Sequence, residues 1–467
     1  MKALMLEEIR AAVHGRWLAR GAAATIPAVS TDSRTARRGE LFFALRGERM
    51  DGHAYLSEAA RAGCAAAVVA LDAELAPEVA GAFGSGLIGV PDTVGALGNL
   101  GAYHRRQVGA TVVAVTGSNG KTTVKRMIHH ILSRRLGGSC SPKSFNNAVG
   151  VPLTLLAVMP GDDYVVCELG TNAPGEIASL AAMAGPDAAV ITSVAPAHLE
   201  RLGSLERIAA EKAAILGELA PDGLGVIWAD SDVLAKAVGR YDCRLIRFGV
   251  CPEADLRLTA HQPLGRRQRF EMNGRLWVDL PLPGRHNALN ALAAIAVARR
   301  FGFEEDAAAA ALADFPGQAM RLEWIELGAG TLINDTYNAN PASLAAAADV
   351  LAGCPTGRKV LVVGDMLELG EQAEAMHRQA GRDLAGKGID LLVSVGTLGR
   401  YIAKGAAEGG LEAESYDSAD AARDQLARLL QAGDAVLVKG SRGMAMEQLI
   451  EPIRAALTRI EHEGPDR

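Results

Sequence analysis

The stretch VVAVTGSNGKTTVKRM, residues 112–127, constrains the fold more than any other part of this sequence. An apolar run typical of a buried strand leads into a turn with two glycines, and helical spacing follows the turn. Such a unit directs backbone N–H groups and a helix N-terminus at one point, where Lys121 adds a positive charge. We therefore predict a phosphate-binding turn in an α/β domain, with a nucleoside triphosphate as its ligand.

Within this turn, the glycines and the threonine have separate expected roles. Gly117 and Gly120 permit a tight backbone, and the Thr122 hydroxyl stands where a P-loop residue binds Mg²⁺. A general P-loop has glycine at the position of Val115, so the match is to a shortened form. The structural alternative is an ordinary glycine-rich turn with an exposed lysine.

Alternation of strand-like and helix-like segments continues along the chain and predicts an α/β fold with mainly parallel sheets. The 467 residues fit about three domains at roughly 150 residues each. We predict a small α/β domain at residues 1–92 and a central domain at 93–314. Alternation restarts after an Ala-rich helical region, which predicts a second doubly wound domain at residues 315–467.

Charge and cysteine content exclude several classes of protein. The 54 acidic and 48 basic side chains give a formal charge of −6, and basic residues do not cluster with aromatics, so we expect no nucleic-acid partner. Six scattered cysteines without a C-x-x-C pair indicate reduced thiols and no structural metal clamp. The charged N-terminus lacks the apolar region of a signal peptide, and no long apolar run is present, so we expect a cytoplasmic protein without a membrane span.

Three further polar residues follow predicted strands of the central domain. Glu168 closes the run YVVCELG, His198 lies in APAHLERLGS, and Lys212 lies on the next helical stretch. Because open α/β sheets bind ligands at the carboxyl ends of their strands, Glu168 and His198 should face the same crevice as the phosphate turn. A carboxylate there suits Mg²⁺, and an imidazole can join a second metal position. Taken singly, a solvated acid and a structural histidine remain alternatives.

Several motifs occur in the order found in one family of ligases. They are TGSNGKTT, NNAVGVPLTLL, ELGTNAPGEI, AHLERLGSLE, GRHNALNALAA, MRLE, NDTYNANPASL, VVGDMLELG and VKGSRGMAME. On these motifs the sequence resembles the Mur ligases over essentially its whole length. The segment STDSRTARRGELFFALRGERMDGHAYL is similar to the family's uridine-nucleotide-binding domain. Folylpolyglutamate synthases share the phosphate turn but lack NDTYNANP together with GDMLELG.

The resemblance implies a fold, an activity and a set of ligands. It implies a UDP-binding N-terminal domain, a central P-loop ATPase domain and a C-terminal Rossmann-like ligase domain. The last four motifs resemble the branch that adds D-alanyl-D-alanine to UDP-N-acetylmuramoyl-tripeptide through an acyl phosphate, in peptidoglycan precursor synthesis. ATP and Mg²⁺ are the implied cofactors, a carbamate on Lys212 is the implied modification, and a monomer is the expected state.

The resemblance also implies roles for individual residues. The catalytic set is Lys121, His198, Lys212 and Arg321. The ATP-binding set is Gly117, Ser118, Asn119, Gly120, Lys121, Thr122, Thr123, Asn287 and Asn290 near the adenine, Arg321 at the γ-phosphate, and Asp335 near the ribose. The metal ligands are Thr122, Glu168 and His198. The substrate-binding set is Ser30, Asp32, Ser33, Arg34, Asn146, Tyr337, Asn338, Asn340 and Lys439.

Two departures from the family pattern and two rival functions remain open. Ser193 stands where relatives usually have asparagine, which predicts a weaker positioning hydrogen bond, and Ala214 replaces the glutamate of a Lys-x-Glu pair begun by Lys212.

One rival function is a sister ligase that adds a single amino acid. The other is a nucleotide-driven binding module without ligation. The sequence leaves open whether the tripeptide ends in diaminopimelate or lysine.

Overall fold

The computed structural model describes residues 1–47, 50–327, 330–355 and 357–463. Glu48 and Arg49, which belong to the uridine-domain motif, lie outside the described residues. The described chain forms sheets of five, nine and six strands, together with a two-stranded pair. Parallel pairing dominates the three larger sheets, and the predicted α/β fold class is confirmed.

The N-terminal lobe holds the five-stranded sheet in the order β2-β7-β6-β5-β4, in which only β2 runs antiparallel to its neighbour. The apolar strands are covered on both faces: Phe43 and Val68 pack on one side, and Phe42 and Val69 pack on the other. Its elements are β1 (Leu4–Met5), α1 (Leu6–Ala12), β2 (Arg16–Arg20), β3 (Thr25–Ile26), β4 (Val29–Ser30), β5 (Leu41–Phe43), α2 (Leu56–Arg61), β6 (Ala66–Ala70), α3 (Pro77–Ala82) and β7 (Gly86–Val90).

The central lobe holds the nine-stranded sheet. Its elements are α4 (Thr93–Gln107), β8 (Thr111–Thr116), α5 (Lys121–Leu132), β9 (Gly138–Cys140), α6 (Gly150–Leu156), β10 (Tyr164–Glu168), α7 (Glu176–Ala184), β11 (Ala188–Ile191), α8 (Leu199–Leu202), α9 (Leu205–Ala213), β12 (Leu224–Trp228), α10 (Asp232–Val238), β13 (Arg244–Gly249), β14 (Leu256–Leu264), β15 (Arg267–Met272), β16 (Leu276–Leu280), α11 (Arg285–Arg300) and α12 (Glu305–Leu312). Strands β8 to β14 pair in parallel, whereas β14, β15 and β16 form an antiparallel extension.

Strand β8 lies inside this sheet, between β10 and β11. Val113 and Val115 pack in the core on the side of α5 and α11, while Val112 and Ala114 pack in the core on the opposite face. Burial on both faces explains why the strand reads as a continuous apolar run. The turn that follows β8 is thereby held at the middle of the sheet edge.

The C-terminal lobe holds the six-stranded sheet in the order β17-β18-β22-β19-β20-β21, in which β17 alone is antiparallel to its neighbour. Its elements are β17 (Glu323–Leu327), β18 (Gly330–Asp335), α13 (Pro341–Ala352), β19 (Lys359–Gly364), α14 (Ala373–Ala385), β20 (Leu391–Val395), α15 (Gly399–Glu408), β21 (Ala413–Tyr416), α16 (Ala419–Leu429), β22 (Ala435–Lys439) and α17 (Ile450–Glu463). Short 3-10 helices cover Gly52–Tyr55, Ala214–Glu218, Gly370–Gln372, Arg442–Met444 and Met446–Leu449.

Helix α4 connects the N-terminal and central lobes. Asp92 caps it by accepting hydrogen bonds from the backbone N–H groups of Val94 and Gly95. Leu97 and Leu100 pack into the core beside the five-stranded sheet, so the helix contributes to the N-terminal lobe as well. Among the described residues, no helix combines the length and the apolar character needed to cross a membrane.

Candidate active site

A cavity of about 740 Å³ lies where the central and C-terminal lobes meet. Pockets for small-molecule ligands are typically of this size. Its walls come from the phosphate turn, the segments after β10 and β11, the start of α11 and the loop after β18. The predicted site residues that line it are Ser118, Asn119, Gly120, Lys121, Thr122, Thr123, Asn146, Glu168, His198, Asn287, Asn290, Arg321, Asp335, Tyr337, Asn338, Asn340 and Lys439.

Six predicted site residues are not among those that line the cavity. Gly117 and Lys212 belong to the central lobe, whereas Ser30, Asp32, Ser33 and Arg34 lie on the N-terminal lobe. On that lobe the Arg34 guanidinium donates to both carboxylate oxygens of Asp32 and keeps its pKa at about 2. The structure therefore brings most of the predicted nucleotide, metal and peptide residues to one cavity, whereas the four predicted uridine residues are not part of its lining.

The phosphate turn takes the tight path that its glycines permit. Gly117 and Gly120 have φ values of 146° and 84°, a region that side chains disfavour. A Cβ atom on Gly120 would collide with the side-chain oxygen of Asn290, so α11 seals the turn from one side. Lys121 Nζ donates to the Gly117 carbonyl at 2.7 Å, and burial lowers the pKa of this lysine.

Ser193, two residues after β11, supports the same turn. Its hydroxyl accepts from the backbone N–H of Asn119 at 2.9 Å and lies 3.2 Å from the Asn119 carbonyl oxygen, to which it donates. Ser193 therefore holds the phosphate turn through two hydrogen bonds, and the weaker positioning bond expected from the resemblance stays a prediction.

Glu168 is buried at the end of β10 with both carboxylate oxygens engaged. Oε1 accepts from the Asn146 amide at 3.0 Å, and Oε2 is 3.1 Å from Nζ of Lys125. Burial acts to raise the pKa of Glu168, but the charges of Lys125, Lys121 and Arg321 outweigh it, so the pKa lies below its ordinary value. The carboxylate is therefore held ionised and in a fixed orientation.

Lys125 is a site residue that the sequence reasoning missed. Its side chain is 1% exposed, and Nζ also donates to the carbonyl of Lys143 at 2.5 Å. It follows Lys121 by four residues on α5, so both lysines lie on the same face of that helix. The available signal was a lysine at a buried helical position, one turn beyond the phosphate-binding lysine.

His198 and Lys212 have contrasting surroundings. His198 has a left-handed backbone, with φ of 56°, and its Nδ1 lies 2.5 Å from Oε2 of Glu368 in the C-terminal lobe. Lys212 is 2% exposed, and no described residue forms a hydrogen bond or ion pair with its Nζ. Burial, followed by the charge of Lys121, lowers the pKa of Lys212 to about 7. Glu211 instead accepts from the backbone N–H groups of Gly175 and Ile177.

Residues of the C-terminal lobe touch the phosphate turn directly. Arg321 donates to the Thr122 hydroxyl at 3.1 Å, and its guanidinium stacks 4.0 Å from the centre of the Tyr337 ring. Asn119 and Asn340 exchange two amide hydrogen bonds of 2.8 and 3.3 Å. Asn340 also caps α13 by accepting from the backbone N–H of Ser343. The turn is thus bridged to the opposite lobe at two points.

Other polar residues of the site are engaged with each other. Lys439 Nζ lies 2.6 Å from Oδ2 of Asp335 and donates to the Asn338 carbonyl at 2.8 Å. Asn290 donates its amide to Asn287, which donates in turn to the Pro283 carbonyl. Lys439 therefore braces the loop after β18, and the two asparagines form a fixed amide pair beside the phosphate turn.

The donor set at the cavity suits Mg²⁺. Thr122 and Glu168 present hard oxygen atoms beside the phosphate turn, and His198 lines the same cavity. Among the described residues, no group of three or more His, Cys, Asp or Glu side chains could hold a metal by itself. Mg²⁺ is usually bound through one or two carboxylates with phosphates and waters, so this sparse set fits a metal that arrives with a triphosphate.

Family models and known relatives match nearly the whole chain. The models are "Mur ligase family, catalytic domain" over residues 25–105, "Mur ligase middle domain" over 115–298 and "Mur ligase, glutamate ligase domain" over 320–442. UDP-N-acetylmuramoyl-tripeptide--D-alanyl-D-alanine ligase of Bacillus subtilis is 36% identical, covering 92% of this chain and 93% of its own. The enzyme of that name from Escherichia coli is 39% identical, covering 93% and 95%.

Solved structures agree with the sequence matches. MurF from Acinetobacter baumannii has a TM-score of 0.88 at 32% identity, covering 97% of this chain and 99% of its own. MurF ligase from Thermotoga maritima, solved in complex with ADP, has a TM-score of 0.81 at 28% identity, covering 92% and 98%. The similarity thus extends through all three lobes and includes the facing surfaces that form the cavity.

Proposed function

The chain belongs to the Mur ligase family, and from that premise we propose that it joins D-alanyl-D-alanine to UDP-N-acetylmuramoyl-tripeptide at the expense of ATP. The products are UDP-N-acetylmuramoyl-pentapeptide, ADP and phosphate. One observation carries the proposal from family to site: the phosphate turn faces Arg321 and Tyr337 of the C-terminal lobe across a single cavity. A ligase needs this proximity because its phosphoryl donor must meet the substrate carboxylate, and the acyl phosphate must then meet the amine.

The reaction has two bond-forming steps. A carboxylate is a poor electrophile, so its oxygen first attacks the γ-phosphorus of ATP, ADP departs, and an acyl phosphate forms. The dipeptide amine then attacks the acyl carbon, loses a proton, and phosphate leaves with the electrons of the C–O bond. Positioning and charge neutralisation supply most of the catalysis in phosphoryl transfer.

The chain's own residues have defined parts in these steps. We propose that Lys121 releases the Gly117 carbonyl and binds the phosphates, while Arg321 moves from Thr122 to the γ-phosphoryl group. Stacking on Tyr337 supports this role because it holds the guanidinium in one plane near the turn. When bound, Mg²⁺ would neutralise phosphate charge. We propose two Mg²⁺ positions with Thr122, Glu168 and His198 as the protein ligands, and His198 would bind the second ion.

We propose that Lys212 carries a carbamate. An amine reacts with carbon dioxide only in its neutral form, and a buried lysine with pKa about 7 is half neutral near pH 7. The resulting anion would lie near the cationic Lys121, whose charge already acts on Lys212. The nearby positive charge of Lys121 therefore supports a carbamate anion at Lys212, whose ammonium has no partner among the described residues.

The remaining proposals concern the whole molecule. We propose domains at residues 1–92, 93–314 and 315–467, with the uridine nucleotide held on the first by Ser30, Asp32, Ser33 and Arg34. The exposed and oriented guanidinium of Arg34 supports a diphosphate partner there. We place Asn146, Tyr337, Asn338 and Asn340 near the peptide. We propose a cytoplasmic location because ATP and UDP-linked precursors are cytoplasmic substrates. We also propose that the protein is a monomer.

A defined coupled assay tests the function. The protein is incubated with ATP, Mg²⁺ and one of two substrate pairs: UDP-N-acetylmuramoyl-tripeptide with D-alanyl-D-alanine, or UDP-N-acetylmuramoyl-L-alanyl-D-glutamate with meso-diaminopimelate. Phosphate and product mass are followed together, and we expect product only with the first pair, as the pentapeptide. Product with diaminopimelate alone would assign a sister ligase, and ATP turnover indifferent to the uridine substrate would assign a binding module. Lys121→Ala should abolish product, while Lys236→Ala, an exposed lysine of α10, should not.

A further inference from the structure

The loop after β19 carries a carboxylate to which the proposed reaction gives no part. Glu368 lies in the GDMLELG segment of the C-terminal lobe, and its Oε2 is 2.5 Å from Nδ1 of His198 in the central lobe. The Glu368 side chain is 54% exposed and that of His198 is 21% exposed, so the pair stands at the edge of the cavity that His198 lines. His198, a proposed metal ligand of the central lobe, is therefore in contact with a carboxylate of the C-terminal lobe.

The backbone on both sides of this contact is unusual. His198 and Glu368 have φ values of 56° and 65°, in the left-handed region that residues other than glycine rarely adopt. The Glu200 N–H donates to the Glu368 carbonyl at 3.3 Å, which links the two backbones directly. Strained conformations of this kind persist where the surrounding structure fixes them, and they cluster at functional sites.

Glu368 projects from a loop that is fixed within its own lobe. The Met366 N–H donates to Nε2 of His377 at 2.9 Å, and the Leu367 N–H donates to the Ser441 hydroxyl at 2.8 Å. Leu369 is buried in the C-terminal core. Across the interface, Leu199 packs against the cores of both lobes beside His198. The carboxylate is thus presented from a rigid base at a packed junction.

The chemistry of metal-binding histidines gives this contact a meaning. A histidine that binds a metal through one ring nitrogen almost always donates the N–H of the other to a carboxylate or carbonyl, which fixes the ring and its tautomer. Because Nδ1 of His198 faces Glu368, Nε2 is the nitrogen left for a metal. We propose that Glu368 is a positioning residue that orients His198, so that the second Mg²⁺ position is complete only when the two lobes are in contact.

This role rests on the proposed function, which assigns His198 to the metal. A surface ion pair without such a role would contribute little to stability and would not change metal binding selectively. Arg201 is the other charged group whose field acts on Glu368, and it lowers the pKa of that carboxylate together with His198. A positioning role for Glu368 predicts that its loss weakens one metal position, whereas a simple surface ion pair predicts no such change. The affinity of that position can be measured directly.

Binding of Mn²⁺, used as a paramagnetic probe for Mg²⁺, tests the proposal. Free Mn²⁺ is counted by electron paramagnetic resonance with full-length protein, β,γ-methylene-ATP and UDP-N-acetylmuramoyl-tripeptide. We expect two bound ions in the wild type, and in Glu368→Ala a second ion bound about 10-fold more weakly with the first unchanged. Glu368→Gln should recover much of the loss because its amide oxygen can take the place of Oε2 beside Nδ1. Glu371→Ala, an exposed neighbour, is the matched control and should equal the wild type.

Each contrary result has a distinct meaning. Equal titrations for the wild type and Glu368→Ala would overturn the proposal, as would equal weakening of both ions or a single ion in the wild type. If Glu368→Gln binds the second Mn²⁺ ion as weakly as Glu368→Ala, the carboxylate acts through its charge and not by orienting His198. That result would also overturn the proposal. Ligation is measured on the same samples: a wild type that makes no pentapeptide refutes the proposed function, whereas a ligating enzyme with unchanged Mn²⁺ binding refutes only the role of Glu368.

Discussion

Lys212 offers the most quantitative test of the site, because its ammonium is buried without a partner among the described residues. Its pKa falls from the ordinary 10.5 to about 7, through burial first and the charge of Lys121 second. At pH 7 about half of the side chain is then neutral, against about one part in 3,000 for an ordinary lysine. The gain in reactive amine is therefore about a thousandfold, and it should appear as carbamate formation with carbon dioxide.

The same shift predicts a change of stability with pH. Between pH 7 and 10.5 the unfolded chain binds a proton at Lys212 that the folded chain has lost, so stability rises with pH across this window. From pH 7 to pH 9 the contribution is about 2 kcal/mol. Below pH 7 both states are protonated, and the full cost of burying the charge is present.

Two measurements check these expectations. Carbon-13 NMR in labelled bicarbonate should show a carbamate resonance in the wild type that Lys212→Met removes and the exposed control Lys236→Met retains. The wild-type free energy of unfolding, measured relative to Lys212→Met without bicarbonate, should increase by about 2 kcal/mol between pH 7 and 9. A carbamate signal that survives in Lys212→Met, or a stability difference that does not change with pH, would refute the reasoning.

Further predictions concern contacts that cross the site. Lys125→Met should destabilise the protein by about 3–5 kcal/mol because it leaves Glu168 charged and buried; adding Glu168→Gln should restore part of the loss in chemical denaturation, and no restoration would contradict the pairing. Asn340→Ser keeps the helix cap but frees Asn119 for bonds to phosphate, so the KM for ATP should fall several-fold with little loss of thermal stability; an unchanged or higher KM would count against the exchange. Arg321→Lys should lower kcat because an ammonium lacks the planar stack and the forked donors; wild-type turnover in single-turnover kinetics would contradict the assigned role.

Local sequence signals predicted the elements that depend on local physics. Strand β8 and helix α5 follow the predicted segments because a two-sided apolar run and the helical spacing after the turn are visible in the sequence. The antiparallel strands β14 to β16 were missed. Burial along β14 alternates for four residues and then gives way to mostly exposed positions, so the pattern is weak at its distal end. Its position is decided by pairing with β13 and β15.

The contacts that complete the site are long-range, which is why the sequence could not predict them. Lys125 meets Glu168 only because α5 packs over β10, and Glu368 meets His198 only because two lobes come together. Motifs identified many of the residues that line the cavity, since several of them follow strands at the same sheet edge. They did not identify the partners, since a partner depends on the packing of segments far apart in the chain.

The protein groups that would bind the triphosphate are satisfied by the protein itself. Lys121 donates to its own turn, Arg321 donates to Thr122, and Asn119 is paired with Asn340. Nucleotide binding must therefore exchange these hydrogen bonds for bonds to phosphate, and the net gain is smaller than the new contacts alone suggest. Two of the three exchanges break a bridge between lobes. Binding energy is thereby linked to the relative position of the lobes, which is the coupling that a ligase needs if acyl phosphate is to form only when both substrates are enclosed.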